Sequence, residues 1–160
     1  MNSRPDDIEE IRRLFHEHVP EIASGLVEIR GLVRQPGNRS ILAVSSKDPS
    51  VDAVSACAGY RGSRVKSIVA RLNGEMIDIL GWSESPESLV ANVMHPWPVL
   101  RASFDEAAKQ AKVILANKPI RHWSEDELES TPPSDLLALQ SSLFSQLMGW
   151  RLKVEVSSDP

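Results

Sequence analysis

Two glycines that enclose an arginine form the part of this sequence best suited to binding a ligand. Gly59 and Gly62 flank Tyr60 and Arg61, and an amphipathic run begins at Ser63. Because glycine adopts positive φ and lets another backbone approach closely, this spacing predicts a loop that opens a helix. The first N–H groups of a helix are unpaired and its N-terminus is partly positive, so the natural occupant is an anion such as a nucleic-acid phosphate.

The charge distribution agrees with that interpretation. The whole chain has a formal net charge of −4, which argues against a nucleic-acid-binding protein of the highly basic kind. Between Leu26 and Trp82, however, eight Lys and Arg residues outnumber five Asp and Glu residues. Arg61 and Arg64 place part of that surplus beside the glycines. The basic part of the chain is therefore the part that contains the loop.

The other reactive side chains do not form a site in this sequence. Cys57 is the single cysteine, lies between alanines and has no nearby cation to lower its pKa, so we interpret it as a buried structural thiol. His16 and His18 point to different faces of a predicted helix, and His95 and His122 lie in separate loop regions. We therefore predict no metal site, no cofactor and no catalytic residue, and we do not expect an enzyme.

Length and composition indicate the class of protein. A chain of 160 residues suits one ordinary domain or two small ones, and two units of about eighty fit best. The N-terminus lacks the apolar core of a signal peptide, and no apolar run is long enough to span a membrane. We expect a soluble cytoplasmic protein with no membrane partner and no small-molecule substrate.

Hydrophobic periodicity predicts the elements that position the loop. In the first half these are a helix over 5–19, strands over 27–34, 41–45 and 76–80, a short helix over 53–58 and a helix after the loop that ends at Asn73-Gly74. Residues 35–38 predict the turn between the first two strands. Asp52 is a good cap for the short helix, whose small side chains permit close approach.

The second half repeats this order of elements. The prediction is a helix from Ser85-Pro86 to Met94, strands over 99–104 and 111–116, an irregular acidic segment over 117–134, a leucine-rich helix capped by Ser134 and Asp135 and running to Met148, and a strand over 150–156. The leucines are interpreted as core, although their excess leaves room for a partner-binding face. The repeated order indicates a tandem repeat of one unit.

A string of short motifs in the first half is specific enough to point to a family. The motifs are Leu14-Phe15, Val19-Pro20-Glu21-Ile22, Val27-Glu28-Ile29, Pro36-Gly37-Asn38-Arg39, Ala43-Val44-Ser45-Ser46, Val51-Asp52-Ala53-Val54, Ala56-Cys57, Gly59-Tyr60-Arg61-Gly62-Ser63-Arg64-Val65, Leu72-Asn73-Gly74-Glu75, Ile77-Asp78-Ile79 and Trp82-Ser83. Together they closely resemble the first KH domain of the bacterial transcription elongation and antitermination factor NusA. The second half resembles the second KH domain of that family more faintly, chiefly through Gly149-Trp150 and the strand after it.

The resemblance implies an α+β fold of two tandem type II (prokaryotic) KH domains, each a three-stranded sheet backed by helices. It divides the chain into an N-terminal amphipathic helix at 1–20, a first KH domain at 21–83 and a degenerate second KH-like domain at 84–160, with an insertion at 117–134. The glycine loop would clamp about four nucleotides of single-stranded RNA. The predicted RNA-binding residues are Gly59, Tyr60, Arg61, Gly62, Ser63, Arg64 and Lys66.

The function that this resemblance implies is single-stranded RNA binding in the control of transcription elongation, termination or antitermination. Proteins of the transcription machinery are candidate partners. The polymerase-binding N-terminal domain and the OB-type domain of the family do not precede the KH pair here, so polymerase recruitment is not carried over. The alternatives are a protein-interaction scaffold and an RNA-processing or ribosome-associated KH factor without a polymerase role.

Several details of the binding surface stay open. Tyr60 either stacks on a base or is merely solvated. Arg30 and Arg34 either extend the basic surface toward RNA or are solvated on the hairpin, whereas solvation is favoured for Arg39. By the family spacing the second loop falls at Asp135-Leu136-Leu137-Ala138, which contains no glycine and no basic residue. We therefore predict that the second site is lost and that the second half binds no RNA by itself.

Overall fold

A computed structural model describes residues 4–119 and 132–158 of the chain. The chain divides into two compact units, Met1–Trp82 and Ser83–Pro160. Within the described ranges no helix is long and apolar enough to cross a membrane. Most of the insertion predicted at 117–134 lies outside the described residues.

The first unit combines four helices with a three-stranded sheet in the part that is described. In chain order its elements are α1 (Pro5–His18), α2 (Pro20–Ala23), β1 (Val27–Gln35), β2 (Arg39–Ser46), α3 (Ala53–Ala58), α4 (Ser63–Arg71) and β3 (Met76–Gly81). The sheet has the order β1-β2-β3, in which β1 and β2 are antiparallel and β2 and β3 are parallel. This arrangement confirms the predicted α+β class.

The helices of the first unit pack on one face of the sheet around a common core. Ile11 and Phe15 of α1, Leu42 of β2, Cys57 of α3 and Ile68 of α4 are all fully buried in one apolar cluster. Burying each such side chain contributes on the order of 2 kcal/mol. Helix α1 is therefore an integral part of the first unit.

Local signals set the ends of the elements around the loop, as the sequence predicts. The Asp52 carboxylate accepts a hydrogen bond from the Ser55 N–H at 3.1 Å, which caps α3 at the predicted residue. After α4, Asn73 and Gly74 both have positive φ, and the Gly74 N–H donates to the Val69 carbonyl at 3.0 Å. Such a left-handed end stops the helix and turns the chain into β3.

The prediction for Arg34 was wrong in both of its alternatives, because this side chain is buried. Its guanidinium donates twice to the Glu75 carboxylate at 2.9 Å, and also to the Asp7 carbonyl at 2.8 Å and the Glu10 carboxylate at 2.6 Å. A bulge at Arg30 shifts the register of β1 and ends the simple alternation that the sequence suggested. Arg34 therefore ties α1, β1 and the chain before β3 together.

Burial by itself lowers the pKa of the Arg34 guanidinium, but the hydrogen bonds to Glu75 and Glu10 outweigh it, and the pKa is raised. The guanidinium is thus charged at every accessible pH. Glu75 also accepts hydrogen bonds from the Gly37 N–H at 2.8 Å and the Ser40 hydroxyl at 3.3 Å. These bonds leave the buried carboxylate well satisfied.

The second unit repeats the sheet with fewer described helices. Its elements are α5 (Pro86–Met94), β4 (Val99–Asp105), β5 (Gln110–Leu115), α6 (Ser134–Met148) and β6 (Arg151–Val156). The sheet order is β4-β5-β6, again with an antiparallel pair followed by a parallel pair. The predicted apolar stripe of α5 and the leucines of α6 form the core; its members include Leu89, Val93, Met94, Leu139, Leu143 and Phe144.

The strand registers show that the two units are repeats of one design. Each first strand has a bulge at the same place, at Arg30 in β1 and at Leu100 in β4. The main-chain hydrogen bonds that open the third strands also match: they run from Met76 N to Asn38 O and from Arg151 N to Lys109 O, both at 3.0 Å. Residues of the two sheets can therefore be compared position by position.

Candidate nucleic-acid interface

The predicted glycine loop is a tight turn between α3 and α4. Gly59, Arg61 and Gly62 all have positive φ, at 79°, 54° and 74°. The Gly62 N–H donates to the Gly59 carbonyl at 3.0 Å and closes a single 3-10 turn. The Gly59 N–H also donates, to the Ser55 carbonyl at 2.9 Å, so both glycine N–H groups are paired inside the protein. A turn of this kind can form a concave anion cradle with its remaining main-chain N–H groups.

The start of α4 adds further donors to this cradle. Gly62 is the N-cap residue and has no side chain that could accept a hydrogen bond from the first turn of α4. The first turn of α4 also contains no acidic residue of its own, so no side chain of that turn neutralises the positive end of the helix dipole. Among the predicted contacts, Tyr60 is 80% exposed, and Arg61, Ser63 and Lys66 are exposed as well.

The loop holds one non-glycine residue in a costly conformation. Arg61 has φ 54° and ψ 31°, which is the left-handed region. An L-residue held there costs on the order of 1 kcal/mol or more, and such residues cluster at functional sites. The conformation brings the Arg61 guanidinium to 5.3 Å from the centre of the Tyr60 ring. The two side chains therefore share the exposed tip of the loop.

Arg64 differs from the other predicted contacts because its guanidinium is already engaged. It donates to the Ala56 carbonyl at 2.6 Å and to the Glu21 carboxylate at 2.9 Å. The Ala56 carbonyl belongs to the last turn of α3, and Glu21 lies on α2. Arg64 therefore joins both helices to the first turn of α4, and its charge is balanced within the protein.

Gly59 is required by the close approach of Arg64. A β-carbon at Gly59 would lie 2.6 Å from Arg64 Cγ and 2.9 Å from the Arg64 main-chain nitrogen. With φ 79° and ψ 174°, the backbone of Gly59 is in a region that is essentially restricted to glycine. At Gly62 the nearest atoms would be 3.7 Å away, so only its positive φ is restrictive.

Cys57 is the reactive side chain nearest to the loop, and it is fully buried. Burial raises the pKa of its thiol to about 11, with a further increase from Glu21 and an opposing effect from Arg64. The thiol therefore keeps its proton at neutral pH and is not nucleophilic. This agrees with its interpretation as a structural thiol.

The remaining arginines of the hairpin have different environments. Arg39 forms an ion pair with Asp78 at 2.7 Å and is only partly exposed, so the prediction of simple solvation was wrong. Arg30 is exposed, lies 4.0 Å from the centre of the Trp82 ring and pairs with Glu28 at 3.5 Å. Its stacking on Trp82 matches neither of the predicted alternatives, which were contact with RNA and solvation on the hairpin.

Sequence reasoning missed the acidic residues that organise the site. Glu21 anchors Arg64, and Glu75 anchors Arg34, but each lies about 40 residues from its partner along the chain. Periodicity cannot reveal such pairs. The one available signal was the type of residue, because Glu75 stands immediately after a predicted helix stop and before an apolar strand.

The second unit has no loop at the matching place. Asp135-Leu136-Leu137-Ala138 lies inside α6, which runs without interruption for 15 residues. This confirms the predicted continuous helix. The predicted cap was wrong, because Pro133 is the N-cap and neither Ser134 nor Asp135 caps the helix. These residues form the first turn of α6, where no glycine makes a positive-φ turn and Asp135 places a negative charge, so the glycine turn of the first unit has no counterpart there.

Comparison with known proteins agrees with this architecture. Residues 6–82 match the model of the NusA-like first KH domain. The transcription termination/antitermination protein NusA of Halalkalibacterium halodurans is 35% identical over 149 residues, which is 93% of this chain and 36% of that protein. The protein of the same name from Bacillus subtilis is 34% identical over 93% of this chain and 38% of its own length. That from Thermus thermophilus is 41% identical over 64% of this chain and 27% of its own length.

A solved structure shows the same fold over both units. The crystal structure of APE1850 matches 93% of this chain and 98% of its own chain, with a TM-score of 0.56 and 20% identity. The chain spans a little over a third of the length of the first two NusA relatives. Residues 6–82 are a NusA-like first KH domain, the second unit is a degenerate KH repeat, and the chain belongs with the NusA-like KH-domain proteins.

Proposed function

We propose that this chain binds single-stranded RNA through the Gly59–Gly62 loop and the first turn of α4, without any catalytic step. The observation that carries the proposal is the anion cradle itself. Gly59, Arg61 and Gly62 have positive φ and lead the chain into α4, whose start has no side-chain cap, so main-chain N–H groups of its first turn are available to an anion. Phosphate is the anion that such a cradle suits, and the exposed Arg61 and Lys66 add charge beside it.

The exposed tip of the loop supports RNA as the source of that phosphate. Tyr60 projects a ring that is 80% exposed and therefore accessible to a base. An aromatic side chain beside a phosphate cradle can stack on a base of a single strand, where the bases are accessible. We infer that Tyr60 stacks and that Arg61 and Lys66 contact the backbone.

The finer part of the proposal is a role in transcription elongation, termination or antitermination. It is supported by the names of the relatives, which cover most of this chain. A single-round transcription assay on a terminator template tests it. The chain should change the fraction of terminated transcripts, and a variant with an inactive loop should not. Equal effects of both proteins would contradict an RNA-dependent role.

Direct RNA binding is tested by the double substitution Tyr60→Asp/Arg61→Asp. It places negative charge where phosphate should bind but keeps both glycines. Affinity for a short single-stranded RNA should fall tenfold or more, about 1.4 kcal/mol. The matched control is Arg13→Asp/His16→Asp, which makes a similar charge change at exposed positions of α1. Equal affinity of the two variants would move the RNA site away from the loop.

A further inference from the structure

The sheet of the second unit has one polar, exposed face. Alternate residues of its three strands point away from the core, and in register they form a grid of nine positions: Arg101, Ser103 and Asp105 in β4, Gln110, Lys112 and Ile114 in β5, and Arg151, Lys153 and Glu155 in β6. All of them except the half-buried Ile114 are exposed. Four are basic and two are acidic. We call this grid the second-sheet face.

The matching face of the first sheet is quite different. Its nine residues in the same order are Gly31, Val33, Gln35, Arg39, Ile41, Ala43, Met76, Asp78 and Leu80. The sole basic residue among these nine is Arg39, which is paired with Asp78. At four equivalent positions the second sheet has a cation in place of a neutral or acidic residue: Arg101 for Gly31, Lys112 for Ile41, Arg151 for Met76 and Lys153 for Asp78. The positive charge is therefore a property of this repeat and not of the fold.

The cations of the second-sheet face are only partly balanced within the protein. Lys112 stands directly opposite Lys153 on the neighbouring strand, and like charges in that position destabilise a sheet. Glu155 pairs with Lys112 at 3.3 Å. Within the described ranges no ion pair involves Lys153, Arg101 or Arg151. A bound anion would relieve this repulsion.

Within the described part of the second unit, charge differs between the helices and the second-sheet face. The nine residues of the face include four basic and two acidic side chains, a net charge of +2. Helices α5 and α6 contain no Lys or Arg, and they carry Glu87 and Asp135. A polyanion would therefore be repelled from the helical side and attracted to the second-sheet face.

The spacing of the face suits a chain of phosphates better than a single ion. Residues two apart on a strand are roughly 6.7 Å apart, and the outer strands of the sheet are roughly 10 Å apart. Arg151, Lys153 and Arg101 thus offer separate contacts along a diagonal path. The second-sheet face exposes no aromatic ring, so it has nothing on which a base could stack.

We propose that the second-sheet face is a second RNA-binding surface, which holds the backbone of a single strand by electrostatic contacts and without base specificity. This inference rests on the proposed function, because it takes RNA as the polyanion. The prediction that the second half binds no RNA considered only the lost loop. The second-sheet face lies on a different element, and in this repeat it takes over the contact with phosphate.

The test compares Arg151→Gln/Lys153→Gln with the control Arg13→Gln/Lys118→Gln in the full chain. Each loses two exposed cations, but only the first pair lies on the second-sheet face. The probes are oligouridines of 4 and 16 nucleotides, titrated over a range of salt. For the 16-mer the first variant should lower the slope of log affinity against log salt by about 1.4, and its affinity at 0.1 M salt should fall about 25-fold.

The 4-mer and the loop variant separate the two proposals. A 4-mer fills only the glycine loop, so Arg151→Gln/Lys153→Gln should leave its affinity within about twofold of wild type. The Tyr60→Asp/Arg61→Asp variant should bind both oligomers more weakly. If this variant alone loses binding of the 4-mer, the loop and the second-sheet face are separate sites. A 16-mer slope equal to that of the control would overturn the inference, and would leave an acidic protein as the occupant of the face.

Discussion

The two units share one sheet but differ in what they build around it. Strand order, strand direction, the bulge in the first strand and the hydrogen bond that opens the third strand all coincide. The first unit places a 3-10 turn with two glycines between α3 and α4, whereas the second has one continuous helix, α6. The sheet and its register thus persist, while the glycine turn is present in one repeat and absent from the other.

A second difference lies inside the two units, at equivalent positions. In the first unit Arg34 and Glu75 form a buried ion pair. In the second unit these positions hold Phe104 and Trp150, whose ring centres are 6.4 Å apart and tilted by 57°. An aromatic pair needs no compensation for desolvated charge, whereas a buried ion pair does. At this equivalent position the first unit uses an ion pair and the second unit uses aromatic packing.

The largest expected effect comes from breaking the ion pair of the first unit. Glu75→Ala leaves the Arg34 guanidinium buried with Glu10 as its remaining carboxylate partner, so the first unit should lose about 3–5 kcal/mol of stability. The apolar double substitution Arg34→Met/Glu75→Leu should be much less destabilised, because it imitates the second unit. Urea unfolding followed by amide signals of β2 measures both. If the double variant is as unstable as Glu75→Ala, apolar packing at these two positions cannot replace the ion pair.

A feature could be predicted from the sequence when the residues that determine it lie close together along the chain. Helix α3 was predicted with its bounds and its Asp52 cap because both depend on residues within one turn. The continuity of α6 was predicted for the same reason. Arg34 was placed on the surface because its partner Glu75 is 41 residues away. A lone arginine in an alternating strand looks solvated until the acid that buries it is known.

The candidate site divides in the same way. The glycines, Tyr60 and Arg61 form a local motif and could be identified from the sequence alone. Arg64 belongs to the same motif by spacing, but its role depends on Glu21, which is 43 residues away. The second-sheet face could have been noticed in part, because Arg151 and Lys153 alternate with apolar residues in β6. The full width of this face could not be predicted, since it depends on the register of three strands.

A smaller effect is expected when a β-carbon is added at Gly59. Gly59→Ala should cost about 2–4 kcal/mol, because it combines a restricted backbone conformation with a clash against Arg64. The matched control is Gly149→Ala at the end of α6, where φ is 73° and nothing lies within 4 Å. That control should cost only about 1 kcal/mol. Equal losses in thermal or urea unfolding would mean that the contact with Arg64 contributes nothing.

Alkaline pH should lower the stability of the first unit, because Cys57 lies in it. Its thiol has a pKa of about 11 in the folded chain, raised from an ordinary value of 9.0, so the unfolded state loses its proton first. The stabilisation is therefore present below pH 9 and lost as pH rises toward 11, a change of about 2–3 kcal/mol. Cys57→Ala should remove this part of the pH dependence. An unchanged slope of stability against pH in that variant would exclude the thiol as its source.

The smallest effect distinguishes Arg61 in the glycine loop from Arg64 in the first turn of α4. Arg61 is exposed at the tip, and Arg64 is bound to the Ala56 carbonyl and to Glu21. If only Arg61 contacts phosphate, Arg61→Gln should reduce the salt slope for a short RNA by about 0.7 and affinity at 0.1 M salt about fivefold.

Arg64→Gln should leave that salt slope unchanged, because its charge is balanced by Glu21 and releases no counterion when RNA binds. It should instead lower the melting temperature, since the Ala56 carbonyl and the Glu21 carboxylate lose their shared donor. Arg64→Lys keeps the charge, but its shorter side chain does not reach the position of Arg64 Nη1, which donates to both acceptors, so it should resemble Arg64→Gln in stability. If Arg64→Gln reduces the slope as much as Arg61→Gln does, Arg64 leaves Glu21 to bind phosphate, and its role in positioning the loop is refuted.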